Sequence, residues 1–597
     1  MDQADGNVGD GEHSSPRESS RRNVLRAGGA VLGASILAGY GADSVSGGDE
    51  DCEFDPIEAS ARSLRSDYER GNITAESVVK TYLDRIEAYD DELDSILAIN
   101  PNVLERAKEL DRKVTETGEL AGPLHGIPVT VKDNIETDDM ATTGGAVVMD
   151  DYVPDEDATL VERIREAGGI VLAKTNLDEF AFGYDGVSSI GGATKNPYDR
   201  ERFAGGSSGG SGAATAANLT MLSVGTDTGG SVRVPASACS LVGLRPTTGL
   251  VSREGIIPLA LNDDTAGPMT RTVEDAALLL DAMVGYDPAD DRTVKSDGEL
   301  PHDGGKRYVD SLDEDGLHGA GIGVYRAFVG PGPLGAEADE PDDKELAADM
   351  QEVTDLFDAA LEEMAAAGAT VVDPVDPPSA DRIGEVNTDT ESEYSRDKGD
   401  YLDGIEADGA PSDIEEILES GEYSPGNCPT LERRAEVDGD ATDEDLEYRY
   451  ALSEEPALRR EVLKPMVEND LDALVFPTLI QSPPRIDAEE GWGANAQFTP
   501  PLDFPSMTVP IGFTDRTGMP AGIEIVVPRF EEARLFELAY AYEQATEHRS
   551  PPSGYGPVDD ADTGWSRAAI EAWNEAQPVE ETVAVLGCDA PADPDGQ

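Results

Sequence analysis

A glycine-rich stretch from Gly205 to Pro246 constrains the fold of this chain more than any other segment. It contains two glycine clusters, GGSSGGSG around Ser207 and TGGS ending at Ser231. Glycine loses more backbone entropy on folding than other residues, so such clusters indicate positive φ angles or close approach of the backbone to another group. A flexible linker is the alternative, but the helix-forming and apolar residues at 213–224 argue against it. The stretch therefore predicts loops whose backbone N–H groups face a ligand.

The composition is strongly acidic, with 123 Asp and Glu against 45 Lys and Arg and a net charge of −78 over 597 residues. Such a surface repels phosphates and anionic lipid, which argues against nucleic acid and anionic membrane surfaces as partners. Salt at about 1 M screens charges within roughly 3 Å. The composition is therefore typical of a protein adapted to high salt, and an acidic protein of ordinary media is the alternative.

The cysteines and histidines predict neither a metal site nor a disulfide framework. Cys52, Cys239, Cys428 and Cys588 show no CxxC spacing, and no two of the five histidines have the spacing of a ligand pair. Cys239 is surrounded by small apolar residues, so we expect a buried free thiol. Cys52 and Cys588, near opposite ends of the chain, are candidates for a disulfide that ties the tails together.

Residues 1–50 predict an export signal followed by an acidic, disordered linker. The pair Arg21-Arg22 resembles the twin-arginine type, which carries folded proteins across a membrane. The apolar segment that follows, to Ala42, is shorter than a typical membrane span. We therefore expect export to the cell surface or the medium, with an uncleaved N-terminal membrane anchor as the alternative.

Alternating helix and strand patterns predict one α/β domain over residues 53–580, followed by a loose tail at 581–597. The strongly acidic region at 286–450 is interpreted as a surface elaboration of that domain. Thr74 is a good N-cap for a helix whose apolar residues share one face at i, i+3, i+4 and i+7. These residues are Val79, Tyr82, Leu83 and Ile86. The same patterns predict strands at 126–135, 170–173, 321–325, 471–477 and 506–512 and helices at 160–167, 273–284, 350–366 and 536–545.

The first glycine cluster matches the Gly-x-Ser-x-Gly nucleophile elbow of α/β-hydrolases at Gly205–Gly209. That motif requires a preceding strand and a downstream histidine. Residues 196–202 do not have a strand pattern, and His302, His318 and His548 lie in polar or turn-like settings. No Gly-Lys-[Ser/Thr] sequence follows the glycines, as phosphate binding would require. A Ser-His-Asp triad and a phosphate loop are therefore both disfavoured.

Lys132 is the candidate base for a serine nucleophile, which needs one to act. It follows a mostly apolar strand in a chain where lysine is scarce, although a surface lysine is the ordinary alternative. To act near neutral pH its pKa must fall from about 10.4 by about three units, roughly 4 kcal/mol. Burial and hydrogen bonding to the neutral amine are able to supply that shift.

These motifs together resemble the signature sequence of the amidase signature family. The matching segments are Val-Lys-Asp-Asn at Lys132, Gly-Gly-Ser-Ser-Gly-Gly-Ser at Ser207 and Gly-Thr-Asp-Thr-Gly-Gly-Ser-Val-Arg-Val-Pro-Ala at Ser231. The family spacings also agree, with 75 residues from the lysine to the first serine and 24 to the second. The similarity runs from about residue 55 to residue 552 and is loose at 286–450.

The resemblance implies the amidase signature fold, an α/β fold with a large mixed central β-sheet covered by helices on both sides. It implies a Ser–cis-Ser–Lys triad in which Ser231 is the nucleophile. Ser207, at the cis-peptide position, would relay the proton, and Lys132 would be the final base.

The resemblance also assigns roles to the residues around the second serine. Asp227 and Arg233 would brace the loop. Ser208 and Ser211 are expected to cap the helix that follows the first glycine cluster, and hydrogen bonding within the catalytic network is the alternative. Glycines let the backbone turn its N–H donors inward without Cβ clashes, and each donor contributes roughly 10²–10³ in rate. The implied oxyanion hole consists of the backbone N–H groups of Thr228, Gly229, Gly230 and Ser231.

The implied reaction is hydrolysis of the C–N bond of a small-molecule or peptide carboxamide through a serine acyl-enzyme, without a cofactor or metal. A glutaminase subunit of a tRNA-dependent amidotransferase is the main alternative. The export signal argues against it because tRNA charging is cytosolic, and residues 503–512 and 539–546 look more like stand-alone amidases of the peptide-amidase type. A non-catalytic binding protein on the same scaffold would require loss of a triad residue, and all three are present.

Overall fold

A mixed sheet of eleven strands runs through the described part of the computed structural model. The structure describes residues 54–296, 298–300, 306–330, 344–376, 378–386, 390–405, 410–437, 439, 445–488, 491–558 and 564–577. The predicted export signal and linker, the predicted tail at 581–597 and the proposed Cys52–Cys588 pair lie outside these residues.

The sheet confirms the predicted α/β fold class with its large mixed central sheet. Its strands follow the order β1-β3-β2-β6-β8-β7-β12-β13-β11-β9-β10, and β4 and β5 form a separate two-stranded ribbon. Pairing is parallel for β2 with β3 and β6, and for β9 with β10 and β11. The strands are β1 Ile96–Ile99, β2 Pro128–Lys132, β3 Ile170–Thr175, β4 Val187–Ser188, β5 Gly192–Ala193, β6 Leu222–Asp227, β7 Val242–Arg245, β8 Thr265–Thr270, β9 Gly321–Val324, β10 Thr370–Val372, β11 Ala473–Pro477, β12 Ser506–Phe513 and β13 Pro520–Val526.

Fifteen α-helices belong to the described residues, and none of them is long and apolar enough to cross a membrane. The helices are α1 Ala61–Arg70, α2 Ala75–Tyr89, α3 Val103–Thr117, α4 Thr159–Glu166, α5 Gly209–Ala216, α6 Arg233–Ala238, α7 Val273–Met283, α8 Lys344–Ala366, α9 Ala380–Gly384, α10 Thr390–Asp403, α11 Ile414–Ser420, α12 Cys428–Ala435, α13 Leu446–Glu468, α14 Glu532–Thr546 and α15 Arg567–Asn574.

Helix α2 shows how the sequence pattern produces the fold. Thr74 and Ser77 form a reciprocal capping box that satisfies the first free N–H groups of the helix. The apolar residues predicted to share one face are all buried in the main core. Burial of such a face, rather than helix propensity, supplies most of the stability of a helix of this length.

The acidic region at 286–450 extends the sheet as well as the surface. It contributes β9 and β10, of which β9 pairs with the C-terminal strand β11. The helices α10, α11 and α12 from this region pack around an apolar cluster that includes Phe180 and Tyr394. Residues 286–450 therefore complete one edge of the sheet and cover part of the interior.

The structure confirms the prediction for one cysteine and shows an unpredicted bond for another. Cys239 is a buried free thiol, as predicted. Cys428 is disulfide-bonded, which the sequence patterns did not predict.

Candidate active site

Strand β2 carries Lys132 into the interior. All five residues of β2 are buried, and the strand pairs in parallel with β3 on one side and β6 on the other. A central parallel strand has no exposed face, so the lysine at its end is enclosed as well. Lys132 Nζ lies 2.7 Å from Ser207 Oγ and 2.7 Å from Thr226 Oγ1. The structure therefore brings two of the three predicted triad residues into direct contact.

The surroundings of Lys132 favour the neutral amine. Its side chain is completely buried, and burial lowers the pKa of Lys132 to about 7. The charges of Asp178, Asp227 and Asp264 act in the opposite direction and moderate the shift. An amine whose pKa is near 7 is partly deprotonated at neutral pH, which a general base requires. Lys132 is therefore able to accept a proton from the Ser207 hydroxyl.

Ser207 is held in place by the backbone of the first glycine cluster. The Gly206–Ser207 peptide bond is cis. Gly205 has a φ of +92°, and a Cβ on it would lie 2.6 Å from Pro235 Cα, so only glycine fits. The carbonyl of Ser207 accepts a 2.9 Å hydrogen bond from the N–H of Asp178. These contacts fix Ser207 with its hydroxyl directed at the lysine that ends β2.

Ser208 and Ser211 do not cap α5, which corrects the expectation from the sequence. Ser208 precedes the helix, but its side chain makes no capping hydrogen bond. Instead its hydroxyl donates to the carbonyl of Thr226 at 3.2 Å and accepts from the N–H of the same residue at 3.3 Å. The hydroxyl of Ser211 lies 2.8 Å from Thr175 Oγ1 and donates to the carbonyl of Val224. Because buried hydroxyls need partners, both serines hold the loop against the sheet.

Ser231 lies between the end of β6 and the start of α6. The preceding residue, Gly230, has a φ of +128°, and a Cβ on it would lie 2.5 Å from a neighbouring alanine side chain. Ser231 is 5% exposed, whereas Lys132 and Ser207 are completely buried. Its carbonyl accepts a 3.2 Å hydrogen bond from the N–H of Ser208, which joins the two glycine clusters. Of the three predicted triad residues, Ser231 is therefore the most accessible to a substrate.

Three of the four backbone donors implied for the oxyanion hole are available. In the part of the chain that the structure describes, the N–H groups of Thr228, Gly229 and Ser231 have no acceptor. Gly230 differs from the expectation, because its N–H donates a 2.8 Å hydrogen bond to Asp227 Oδ1. The N–H of Gly230 therefore braces the loop in this structure, which leaves three donors for a developing oxyanion.

Asp227 and Arg233 form the centre of a buried ion network. Arg233 lies 3.0 Å from Asp227 and also binds Glu524, and Arg245 lies 3.1 Å from Asp227. Burial by itself would raise the pKa of Asp227, but the charges of Arg233 and Arg245 outweigh it and hold this pKa far below its ordinary value. Asp227 also accepts the N–H of Val232, so the network fixes both ends of the turn that carries the second serine.

Three residues that hold the site were not found from the sequence: Thr226, Tyr184 and Asp264. Tyr184 donates a 2.6 Å hydrogen bond from its hydroxyl to the carbonyl of Gly229. Asp264 accepts a hydrogen bond from the hydroxyl of Thr228 and two more from backbone N–H groups nearby. Thr226, the contact of the buried lysine, stands inside the second motif and was the only one with a sequence signal. The other two come from separate segments with no recognisable pattern.

The mixed sheet and the buried lysine beside the serine clusters are the features that the sequence predicted for an amide hydrolase. Comparison with known families agrees, because a family model described as Amidase matches residues 77–536. The chain belongs to the amidase family and is an amide-hydrolysing enzyme, as the sequence predicted.

The solved structures and curated relatives that match include a peptide amidase and amidotransferase subunits. The peptide amidase from Stenotrophomonas maltophilia matches with a TM-score of 0.70 and 34% identity over 83% of this chain and 98% of its own. A glutamyl-tRNA(Gln) amidotransferase subunit of Thermotoga maritima matches with a TM-score of 0.63 and 28% identity over 85% of this chain and 99% of its own. The corresponding subunit of Thermoanaerobacter pseudethanolicus is 32% identical over 83% of this chain and 97% of its length.

Proposed function

We propose that this protein is an exported amidase that hydrolyses small-molecule or peptide carboxamides in concentrated salt, with Ser231 as the nucleophile. The observation that carries the mechanism is the 2.7 Å contact between Lys132 Nζ and Ser207 Oγ inside the protein. A buried lysine hydrogen-bonded to a serine supplies the base that a histidine provides in other serine hydrolases. Export and salt adaptation are supported by the Arg21-Arg22 motif and by the net charge of −78.

The proposed reaction proceeds through an acyl-enzyme. Ser231 Oγ attacks the amide carbon, its proton passes to Ser207, and Ser207 passes its own proton to Lys132. The N–H groups of Thr228 and Gly229, with that of Ser231, donate to the oxygen that becomes negative. Collapse of the tetrahedral intermediate breaks the C–N bond, and Ser207 returns a proton to the departing ammonia or amine. Water then attacks the ester by the same route and releases the acid.

A glutaminase component of an amidotransferase is the second candidate function. It is favoured by the 32% identity to the curated amidotransferase subunit of Thermoanaerobacter pseudethanolicus, which the chain covers almost completely. The similarity to the peptide amidase, at 34% identity, favours the stand-alone enzyme. The two functions differ in their substrate, since the glutaminase would release ammonia from glutamine.

We expect the protein to release ammonia from C-terminally amidated peptides and simple carboxamides in the presence of several molar KCl. The carboxylates of a chain with net charge −78 repel one another, and salt at about 1 M confines that repulsion to roughly 3 Å. Ammonia is measured over a panel of amides that includes glutamine, in culture medium and in cell extract. Activity restricted to glutamine in the cell extract would oppose the proposal and favour the amidotransferase function.

The pH profile of kcat/KM is expected to rise through about pH 7 and then level off. Lys132 must be neutral to accept a proton, and burial places its pKa at about 7. Protonation below that value removes the base, so kcat/KM falls about tenfold for each pH unit. Ammonia release from one amide is measured between pH 5 and 9 at constant salt. A profile that is flat over this range contradicts the assignment of the base.

A further inference from the structure

Lys398, on helix α10, is a buried cation without a hydrogen-bond acceptor. Its side chain is completely buried, and its Nζ makes no hydrogen bond within the described residues. The ammonium group lies 4.4 Å from the centre of the Phe180 ring and 5.5 Å from that of the Tyr401 ring. Ring faces attract a cation but do not replace the hydrogen bonds that it loses on leaving water.

The other two buried lysines in the described residues show what Lys398 lacks. Lys132 contacts two hydroxyls, and Lys174 contacts Asp133, a carbonyl and a hydroxyl. Burial lowers the pKa of Lys398 to about 7, and no carboxylate counteracts this shift. Burial of a lysine without a hydrogen-bond acceptor costs free energy, even in a chain that has 123 acidic residues. A buried amine that lacks a partner departs from the usual rule for polar groups, and such departures are expected at functional sites.

Three segments near Lys398 also carry or hold residues of the proposed catalytic site. Its neighbour Asp397 accepts the N–H of Leu261, in the segment whose Asp264 holds the hydroxyl of Thr228. Tyr401, one helical turn further on, donates its hydroxyl to Glu136, four residues after Lys132.

The third contact is made by Phe180, in a separate segment of the chain. Phe180, whose ring faces the ammonium group, follows Asp178 by two residues, and the N–H of Asp178 donates to the carbonyl of Ser207. Three separate segments therefore connect the surroundings of Lys398 with the base, the relay serine and the oxyanion turn. A group bound by this lysine would therefore lie among segments that also hold the proposed catalytic residues.

We propose that Lys398 is a specificity residue that binds a carboxylate of the substrate, so that the preferred substrates are amides that also carry an acid group. This inference rests on the proposed amide hydrolysis. A carboxylate would supply the acceptor that the ammonium group lacks, in a charge-assisted hydrogen bond of the stronger kind. In a chain of net charge −78, an anionic substrate also needs a local positive charge to enter the site.

The proposal is tested with a matched pair of amides, glutaramate, which carries a carboxylate, and pentanamide, which does not. Wild-type protein should prefer glutaramate by kcat/KM. Lys398→Met, which keeps an unbranched side chain but removes the amine, should lower kcat/KM about 30-fold more for glutaramate than for pentanamide, the lower range for removing one partner of a buried charge pair. Lys398→Arg should restore part of the preference. Equal effects on both amides, or a wild-type preference for pentanamide, overturn the proposal.

Two controls separate the carboxylate site from other effects. Lys464→Met removes one positive charge from an exposed position on α13 and should leave the ratio between the two amides unchanged. Glutarate binding, measured by calorimetry on the wild-type protein and on Lys398→Met, does not depend on turnover. If no amide is hydrolysed, the proposed function fails, while glutarate binding that is lost in Lys398→Met still supports the carboxylate site. Equal glutarate binding by both proteins, or none by either, overturns it.

Discussion

Replacement of Ser231 by alanine is expected to lower amide turnover by about 10⁴-fold or more in a protein that remains folded. Ser231 supplies the atom that forms the acyl-enzyme, and loss of a serine nucleophile in a hydrolase costs up to about 10⁶ in kcat. The side chain is small and 5% exposed, so its removal leaves no substantial cavity. Ammonia release is measured with the best amide of the panel, and circular dichroism in the same salt checks the fold.

Lys132→Met is expected to cause a loss of similar size because the triad acts as one unit. The lysine contacts Ser207 at 2.7 Å, and without it neither serine has a base. The double variant with Ser231→Ala should be no less active than either single variant, since effects within a catalytic unit are not additive. Full turnover in Ser231→Ala or in Lys132→Met would eliminate the proposed mechanism.

The adjacent serines Ser207 and Ser208 provide a matched control within the same loop. Ser207 contacts the buried lysine, whereas within the described part of the chain the hydroxyl of Ser208 bonds only to the backbone of Thr226. Ser207→Ala should therefore lose most activity. Ser208→Ala should lose about 1 kcal/mol of stability, the usual contribution of a buried hydrogen bond, and retain turnover. Equal losses in the two variants would mean that the loop, rather than the relay, had been damaged.

The sequence predicted most of the elements because they follow local patterns, and the candidate triad residues stand in local motifs, two of which the structure brings into contact at Lys132 and Ser207. The buried strand that ends at Lys132 and the helix capped by Thr74 depend on neighbours within a few residues of the chain. The sequence predicts the ends of an element less accurately where the element begins with polar residues. Helix α8 starts at Lys344 rather than at residue 350, because its first turns lack the apolar pattern.

The positions that the sequence did not predict depend on contacts between distant segments. Ser208 has the type and place of a helix cap, but the adjacent strand β6 offers it backbone partners that no local pattern reveals. The N–H of Gly230 is taken by Asp227 because two arginines hold that carboxylate in place. Tyr184 and Asp264 reach the oxyanion turn from segments about 40 residues away on either side. Their roles follow from the fold and not from the motif.

Asp227→Ala is expected to lower the free energy of unfolding by about 3–5 kcal/mol, the range for removing one partner of a buried ion pair. Arg233 and Arg245 are completely buried, and both bind this carboxylate. Within the described residues, removal of the carboxylate leaves Arg233 with Glu524 as its one charged partner and leaves Arg245 without any. Chemical denaturation in several molar KCl, followed by fluorescence, measures the loss.

The control is Glu468→Ala, which breaks an exposed ion pair with Lys464 and should change stability by less than about 1 kcal/mol.

Asp227→Ala also frees the N–H of Gly230, so the second glycine turn loses its brace together with the charge. Turnover should therefore fall even at temperatures where the variant remains folded. A folded variant with normal stability and turnover would show that the buried network does not position Ser231, and contacts such as those of Tyr184 and Asp264 would then have to hold the loop.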